Sequence, residues 1–209
     1  MANNRTSNPA AQEIESLQKK YQELQLRVTR FSATEQELIH ARNRLDREVM
    51  IYRRMQEFNS QALQEMTDEE FLTLVTESLI DIFEVEIGYI AIETGNSTKA
   101  DFQHLEGYSL APASQMKILA SLKKMMPRQP LGKVRQMELQ ADQDELYTLI
   151  PLRHVFVTCV KNPESDMTIY LMGGITDKGS SFYDPIGTDR EAAFLVFAQQ
   201  VMAHETNYY

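Results

Sequence analysis

The chain has 209 residues and an acidic balance, 21 Lys and Arg against 30 Asp and Glu, for a net charge of −9. That length allows one ordinary domain with an extension. Its single cysteine, Cys159, excludes an internal disulfide framework and fits a reducing, cytoplasmic setting, and no apolar run is long enough to span a bilayer.

The first residues, Met1 to Pro9, are polar, and residues 1–12 are expected to be disordered. From Ile14 a heptad repeat sets in. Its a positions are Ile14, Tyr21, Val28, Glu35, Arg42 and Val49, and its d positions are Leu17, Leu24, Phe31, Leu38, Leu45 and Tyr52. Every d residue is apolar and no Gly or Pro interrupts the stretch, so residues 13–66 read as a coiled-coil helix. At ~1.5 Å per residue such a helix is about 80 Å long, too long for a small domain to bury. It needs a partner helix, and a second copy supplies one. The expected interface of a parallel homodimer is therefore Ile14, Leu17, Leu24, Val28, Phe31, Leu38, Leu45, Val49 and Tyr52. Charged Glu35 and Arg42 at a positions weaken the middle of the seam and fix its register. After Tyr52 the apolar residues become Met55, Phe58 and Ala62, one place ahead of the sevenfold count. That slip has two readings: the coil meets the globular part there, or a register-sensitive element transmits a signal.

Residues 67–209 form the globular part. They carry a balance of −10 against +1 for residues 1–66, which makes this part a poor general nucleic-acid binder. Thr67 with Glu70 is a capping box, and Met66 with Phe71 a hydrophobic staple, so a second helix starts at once and runs to about Phe83. Its expected inner face is Phe71, Leu74, Val75, Ser78, Leu79 and Ile82. Ile87–Ile92 reads as a strand buried on both faces, Thr94–Ser97 as a turn, and Phe102–Tyr108 as a second strand. Pro112 starts a helix that carries Met116, Leu119, Ala120, Leu122 and Met126 and stops at Pro127. Leu131–Arg135, Leu146–Leu152, Val155–Val160 and Thr168–Ile175 read as strands, with Gly173-Gly174 marking a close approach or a bulge. The last helix starts at the capping box Thr188 to Glu191 and ends near Asn207. It shows two apolar stripes: Ala192, Leu195, Val196 and Met202, and Phe194, Phe197 and Val201. The second stripe is expected to pack on the end of the long helix, around Tyr52 to Leu63. The fold class is α/β in the α+β sense: an antiparallel sheet flanked by helices, with a long N-terminal helix.

At these residues the chain resembles a family. The segment from Met66 to Asn207, with "FLTLVTESLIDIFEVEIGYIAIE", "LYTLIPLR" and "IYLMGGITDKGSSFYDPIGTDREAAFLVFAQQVMAHE", is similar to a GAF domain, the small sensory domain of signalling proteins. The preceding coil resembles the signalling helix before such domains in bacterial sensor histidine kinases and diguanylate cyclases. The resemblance implies a cytoplasmic, dimeric regulatory module whose output domain lies outside this chain, with a small molecule as a possible ligand. The alternative is a ligand-free dimerising spacer.

The family's ligand motifs do not transfer. Bilin attachment needs a Cys followed by His, whereas Val160 follows Cys159. A cyclic-nucleotide pattern is met only by Asp177-Lys178, Phe182 and Asp189, at the wrong spacing. His104 and His154 match a haem ligand by residue type alone. His154 and Cys159 are five apart on one strand and point to opposite faces, which argues against a catalytic dyad. One cysteine cannot support a sulfoxide-reductase cycle. Asp142, Asp144 and Glu145 lack the glycine and spacing of a calcium loop. No enzyme, metal site or resident cofactor is expected. The default pocket of a sensor would be lined by Phe102, Tyr108, Met116 and Tyr147, although each of them taken singly reads first as plain core. A window free of acids, holding Lys117, Lys123, Lys124, Arg128, Lys133 and Arg135, reads as a solvated helix face and loop or as a docking patch for an acidic partner or a phosphorylated small molecule.

Overall fold

The computed structural model describes residues 9–95, 97–107, 110–126, 132–141, 144–183 and 188–207. The chain divides into two compact units, the first ending at Val49 and the second starting at Met50.

Helix α1 spans Pro9–Ala62. It begins inside the stretch expected to be disordered and ends four residues before Met66. In the first unit its apolar seam stands open. Every a and d residue of the expected interface is exposed, from Ile14 and Leu17 to Phe31 at 72% and Leu38 at 66%. A single chain offers these side chains nothing to pack against.

In the second unit the helix behaves differently. Ile51, Met55, Phe58 and Ala62 are buried, whereas Tyr52 and Leu63 on the continuing heptad seam stay exposed. The slip after Tyr52 is thus a second apolar stripe, set off from the first by about 100° of helix rotation at 3.6 residues per turn. It serves the domain's own core. The boundary of the globular part accordingly lies within α1 and not at the Met66/Thr67 junction.

Helix α2 (Asp68–Phe83) follows. The Thr67 hydroxyl accepts from the Glu70 amide at 3.3 Å, and the Glu70 carboxylate accepts from the Thr67 amide at 2.7 Å. That donation from the Thr67 backbone holds the Glu70 carboxyl below its usual range. The buried set of α2 is wider than one stripe. Leu72, Thr76 and Ile80 are inside along with Phe71, Val75 and Leu79, while Leu74 and Ser78 are only half-buried. A helix wedged between a sheet and other helices needs two inner flanks.

The sheet consists of β1 (Ile87–Thr94), β2 (Ser97–His104), β3 (Val134–Glu138), β4 (Leu152–Lys161) and β5 (Met167–Thr176), in the order β2-β1-β5-β4-β3. Every neighbouring pair is antiparallel. Strand β2 lies earlier than expected from Phe102–Tyr108. Thr94 pairs with Ser97, and this tight hairpin register sets Phe102 opposite Tyr89 and His104 opposite Ile87, where β1 begins. Gly107, at φ 78°, then turns the chain through its amide onto the His104 carbonyl. Strand β3 begins at Val134; Leu131 lies outside the described residues.

Leu146–Leu152 is not a strand. Helix α4 (Glu145–Leu149) takes its first half, and Leu152 opens β4. The segment's apolar pattern fits both periods. Leu146 and Ile150 are both buried, and a spacing of four brings them to one side of a helical turn.

Two cores result. One lies between the sheet and α2, α5 (Thr188–Asn207) and the end of α1, with the rings of Phe58, Phe83, Phe156, Phe194 and Phe197 at its centre. The rings meet edge to face: Phe83 and Phe194 at 5.2 Å, Phe156 and Phe194 at 4.4 Å. Gly173 belongs here, because a Cβ on it would overlap the Phe156 ring. The other core lies beneath α3 (Pro112–Met125) and α4 and centres on Tyr89, Phe102, Ile118, Leu122 and Met172. On α3 the buried residues are Ile118, Leu119, Ser121 and Leu122, whereas Ala120 and Met116 face outward.

Helix α5 has the expected span but one buried face, formed by Ala193, Phe194, Phe197, Ala198, Val201, Met202 and Glu205. Ala192 and Val196 are exposed. Phe197 is fully buried and meets Phe58 of α1 at 4.9 Å, and the Nε2 of His204 lies 3.0 Å from the Asn59 Oδ1. The stripe thus packs on α1 as expected, through Met55 to Ala62. Thr188 and Asp189 have no described side chains.

Candidate functional site

Of the expected pocket residues, Phe102 and Tyr147 belong to one apolar cluster beneath α3 and α4. Phe102 is buried in the core below α3, across the strand pair from Tyr89. Met116 is 39% exposed on α3. Tyr147 donates its hydroxyl to the Asp177 carboxylate, which pushes the phenol above its ordinary range. Tyr108 lies outside the described residues. On the α3 side of the sheet the buried Tyr89 donates its hydroxyl to the Gln115 carbonyl at 2.9 Å.

Two cations of the basic window are matched by acids once folded. Lys123 pairs with Glu93 at 2.5 Å and Lys124 with Glu145 at 2.6 Å, while Arg135 donates to the Met125 carbonyl. Lys117 and Lys133 are exposed, and Arg128 lies outside the described residues. Cys159 sits half-buried opposite Tyr170, and burial raises its thiol pKa, the reverse of an activated nucleophile. Burial also pushes the Tyr170 phenol up to about 12. Asp177 serves Tyr147, Phe182 is 86% exposed, and Asp142 lies outside the described residues. Among the described residues no three His, Cys, Asp or Glu side chains converge as a metal site would require.

The features with functional geometry lie instead at the end of the sheet where α1, α2 and β2 meet. Arg54 of α1 reaches the end of α2. Its guanidinium donates to the Asp81 carbonyl and sits 3.4 Å from the Asp81 carboxylate and 3.9 Å from that of Glu84. A cation at a helix C-terminus satisfies the orphan carbonyls there. Arg190 of α5 does the same from inside the core, donating to the Phe83 carbonyl at 2.9 Å. Beyond Arg54 a cleft of about 440 Å³ opens between α2, the end of β2 and Tyr183.

Behind that cleft the polar groups are tightly bound. Glu86 is buried and accepts from the Thr176 amide at 2.5 Å and its hydroxyl at 2.8 Å, and the same hydroxyl accepts from the Gly179 amide at 3.0 Å. His104 is buried beside it, with Nδ1 accepting from the Glu106 amide at 2.9 Å. That bond places the neutral ring's proton on Nε2. Burial lowers the His104 pKa, and nearby Glu106 and Glu86 offset part of this.

Sequence reasoning missed Glu86, Arg54 and Arg190. Glu86 had a signal, since an acid inside the apolar run Val85 to Ile87 implies a paired buried carboxylate. Arg54 and Arg190 had none, because their carbonyl partners are 27 and 107 residues away.

No protein-family model matches the chain, and no curated protein matches it. Solved structures do. The GAF domain of a putative sensor histidine kinase from Pseudomonas syringae pv. tomato superposes with a TM-score of 0.53 at 11% identity, over 80% of this chain and 95% of that one. CepR2 of Burkholderia cenocepacia, an N-acylhomoserine lactone dependent LuxR-family transcription factor, gives a TM-score of 0.50 at 8% identity, over 76% and 95%. The fold is GAF-like: a five-stranded antiparallel sheet with helices on both faces and a long helix before it. Among the described residues no helix is long and apolar enough to cross a membrane.

Proposed function

We propose that the chain is a dimeric, cytoplasmic signal-transduction module, a GAF-like sensory domain coupled to a parallel coiled coil, within a sensor histidine kinase or a related signalling protein. It performs no catalysis itself and passes a state to an output domain. One observation carries this reading. A single helix, α1, bears an exposed heptad seam up to Val49 and a separate buried stripe from Ile51 to Ala62. The seam calls for a partner helix, and the stripe ties the same helix into the sensory core. A shift in the domain therefore acts on the helix that holds the dimer, without a flexible linker to absorb it. Typical couplings of this kind are about 1–3 kcal/mol, and a seam carrying Glu35 and Arg42 at a positions is weak enough to respond.

The other reading, a ligand-free dimerising spacer, draws on the core role of Phe102 and the outward position of Met116, two of the expected pocket residues.

Cross-linking tests the arrangement. In a Cys159→Ser background, Leu17→Cys is expected to give a disulfide-linked dimer on mild oxidation, because a parallel in-register seam sets residue 17 against its own copy. An antiparallel coil keeps two residues 17 far apart. Absence of the linked dimer in protein that light scattering shows to be dimeric overturns the parallel assignment.

A further inference from the structure

The cleft beside Arg54 points to a ligand of a definite kind. Its volume of about 440 Å³ lies within the range of about 300–1,000 Å³ typical of small-molecule sites. One wall is apolar: the 55%-exposed Leu105 and the half-buried Tyr183, with the fully buried Val85 behind them. The opposite rim, on α2, carries Glu77, Asp81 and Glu84. Against these three acids stands one lining cation, Arg54, and it is engaged with Asp81 and Glu84. Glu77 makes no hydrogen bond or ion pair with any described residue, and Gln103 places an amide between the wall and the rim.

From this juxtaposition of a free carboxylate and an exposed apolar wall we infer that the cleft binds a small organic amine with an apolar or aromatic body. The ammonium pairs with Glu77, and the body covers Leu105 and Tyr183. An anion is disfavoured by the rim, and a bare divalent cation lacks the convergent donors it needs. The acidic charge of the chain raises the local concentration of cations. Such a ligand lies against Arg54 of α1 and against α2 together, so the inference deepens the sensory reading and rests on it for any consequence beyond binding.

The chain contains no tryptophan, which makes tryptamine a convenient probe, since its indole emission is read without background. Titrating the full 209-residue protein into tryptamine is expected to raise the anisotropy in a saturable way. Glu77→Gln, an isosteric change at an exposed position, is expected to weaken binding about fivefold, the limit for a solvent-accessible ion pair. Indole-3-ethanol, which keeps the body and lacks the charge, should bind the parent protein with a similar loss. Leu105→Asp should weaken the neutral probe as well.

Failure of tryptamine to saturate overturns the inference, as does equal affinity for the Glu77→Gln protein. Equal binding of the alcohol and the amine overturns the assignment of the charge. None of these outcomes bears on the dimer, whose orientation is read separately by the residue 17 cross-link. A failed titration with a linked dimer thus removes the amine site alone.

Discussion

The two stretches of α1 share a helix and a composition, yet their apolar residues have different fates. From Ile14 to Val49 the seam residues are exposed, whereas Ile51, Met55, Phe58 and Ala62 are buried. The first stretch keeps a strict sevenfold count that suits a partner helix of the same kind. The second leaves the count by one place and presents Met55, Phe58 and Ala62 to Phe197 and the rest of the domain core. The difference teaches that a change of phase in a long amphipathic helix marks a change of partner. Tyr52 and Leu63 show that the old face continues past the change, still exposed at 57% and 77%.

The comparison breaks most sharply at the seam. Leu38→Asp sets two unpaired carboxylates against apolar side chains in a dimer, a severe desolvation cost. Light scattering should find a monomer whose near-ultraviolet circular dichroism still matches the parent's globular unit. An unchanged dimer mass would place the interface elsewhere.

The next largest effect belongs to the buried stripe. Phe58→Ala removes a ring in contact with Phe197 and His204, and loss of a buried Phe costs about 3–5 kcal/mol. The urea midpoint should fall accordingly. A midpoint within experimental error of the parent would mean that the end of α1 is not part of the core.

The smallest effect sharpens the α1–α5 contact. His204 meets Asn59 and the Phe58 ring, and burial lowers its pKa from the ordinary 6.5. The folded state therefore binds this proton less readily than the unfolded chain. The contribution to stability is fully present above pH 6.5 and is lost as pH falls below that value. Melting curves between pH 7.5 and 5 should show the parent losing stability faster than His204→Gln. Parallel slopes would remove His204 from the account.

Much of the second unit was legible in advance because its signals are local. The Thr67/Glu70 capping box is a contact between residues three apart, and it forms as read. Strands β1, β4 and β5 stand out because strands near the middle of a sheet are apolar on both faces. The α+β arrangement followed from element order and the GAF-like resemblance from the segments around α2, β4 and α5, and the superposition on the Pseudomonas syringae domain agrees with both. The edge strand β2 was misplaced because an edge strand carries a weaker apolar signal. The hairpin register of Thr94 with Ser97 decided its position.

What the sequence by itself determined is periodicity: the heptad seam, its slip after Tyr52, the caps, and the strands with two apolar faces. Each depends on side chains a few residues apart on one element. Only the tertiary structure decided which side of each pattern is covered and by what. It turned Leu146 to Ile150 into a helical turn, set Tyr89 and Phe102 in the core beneath α3, and carried Arg54 and Arg190 to carbonyls at the end of α2. Those outcomes depend on groups up to 107 residues apart. A backbone carbonyl is chemically the same at every position, so nothing in the sequence marks which one will be left for a distant guanidinium to reach.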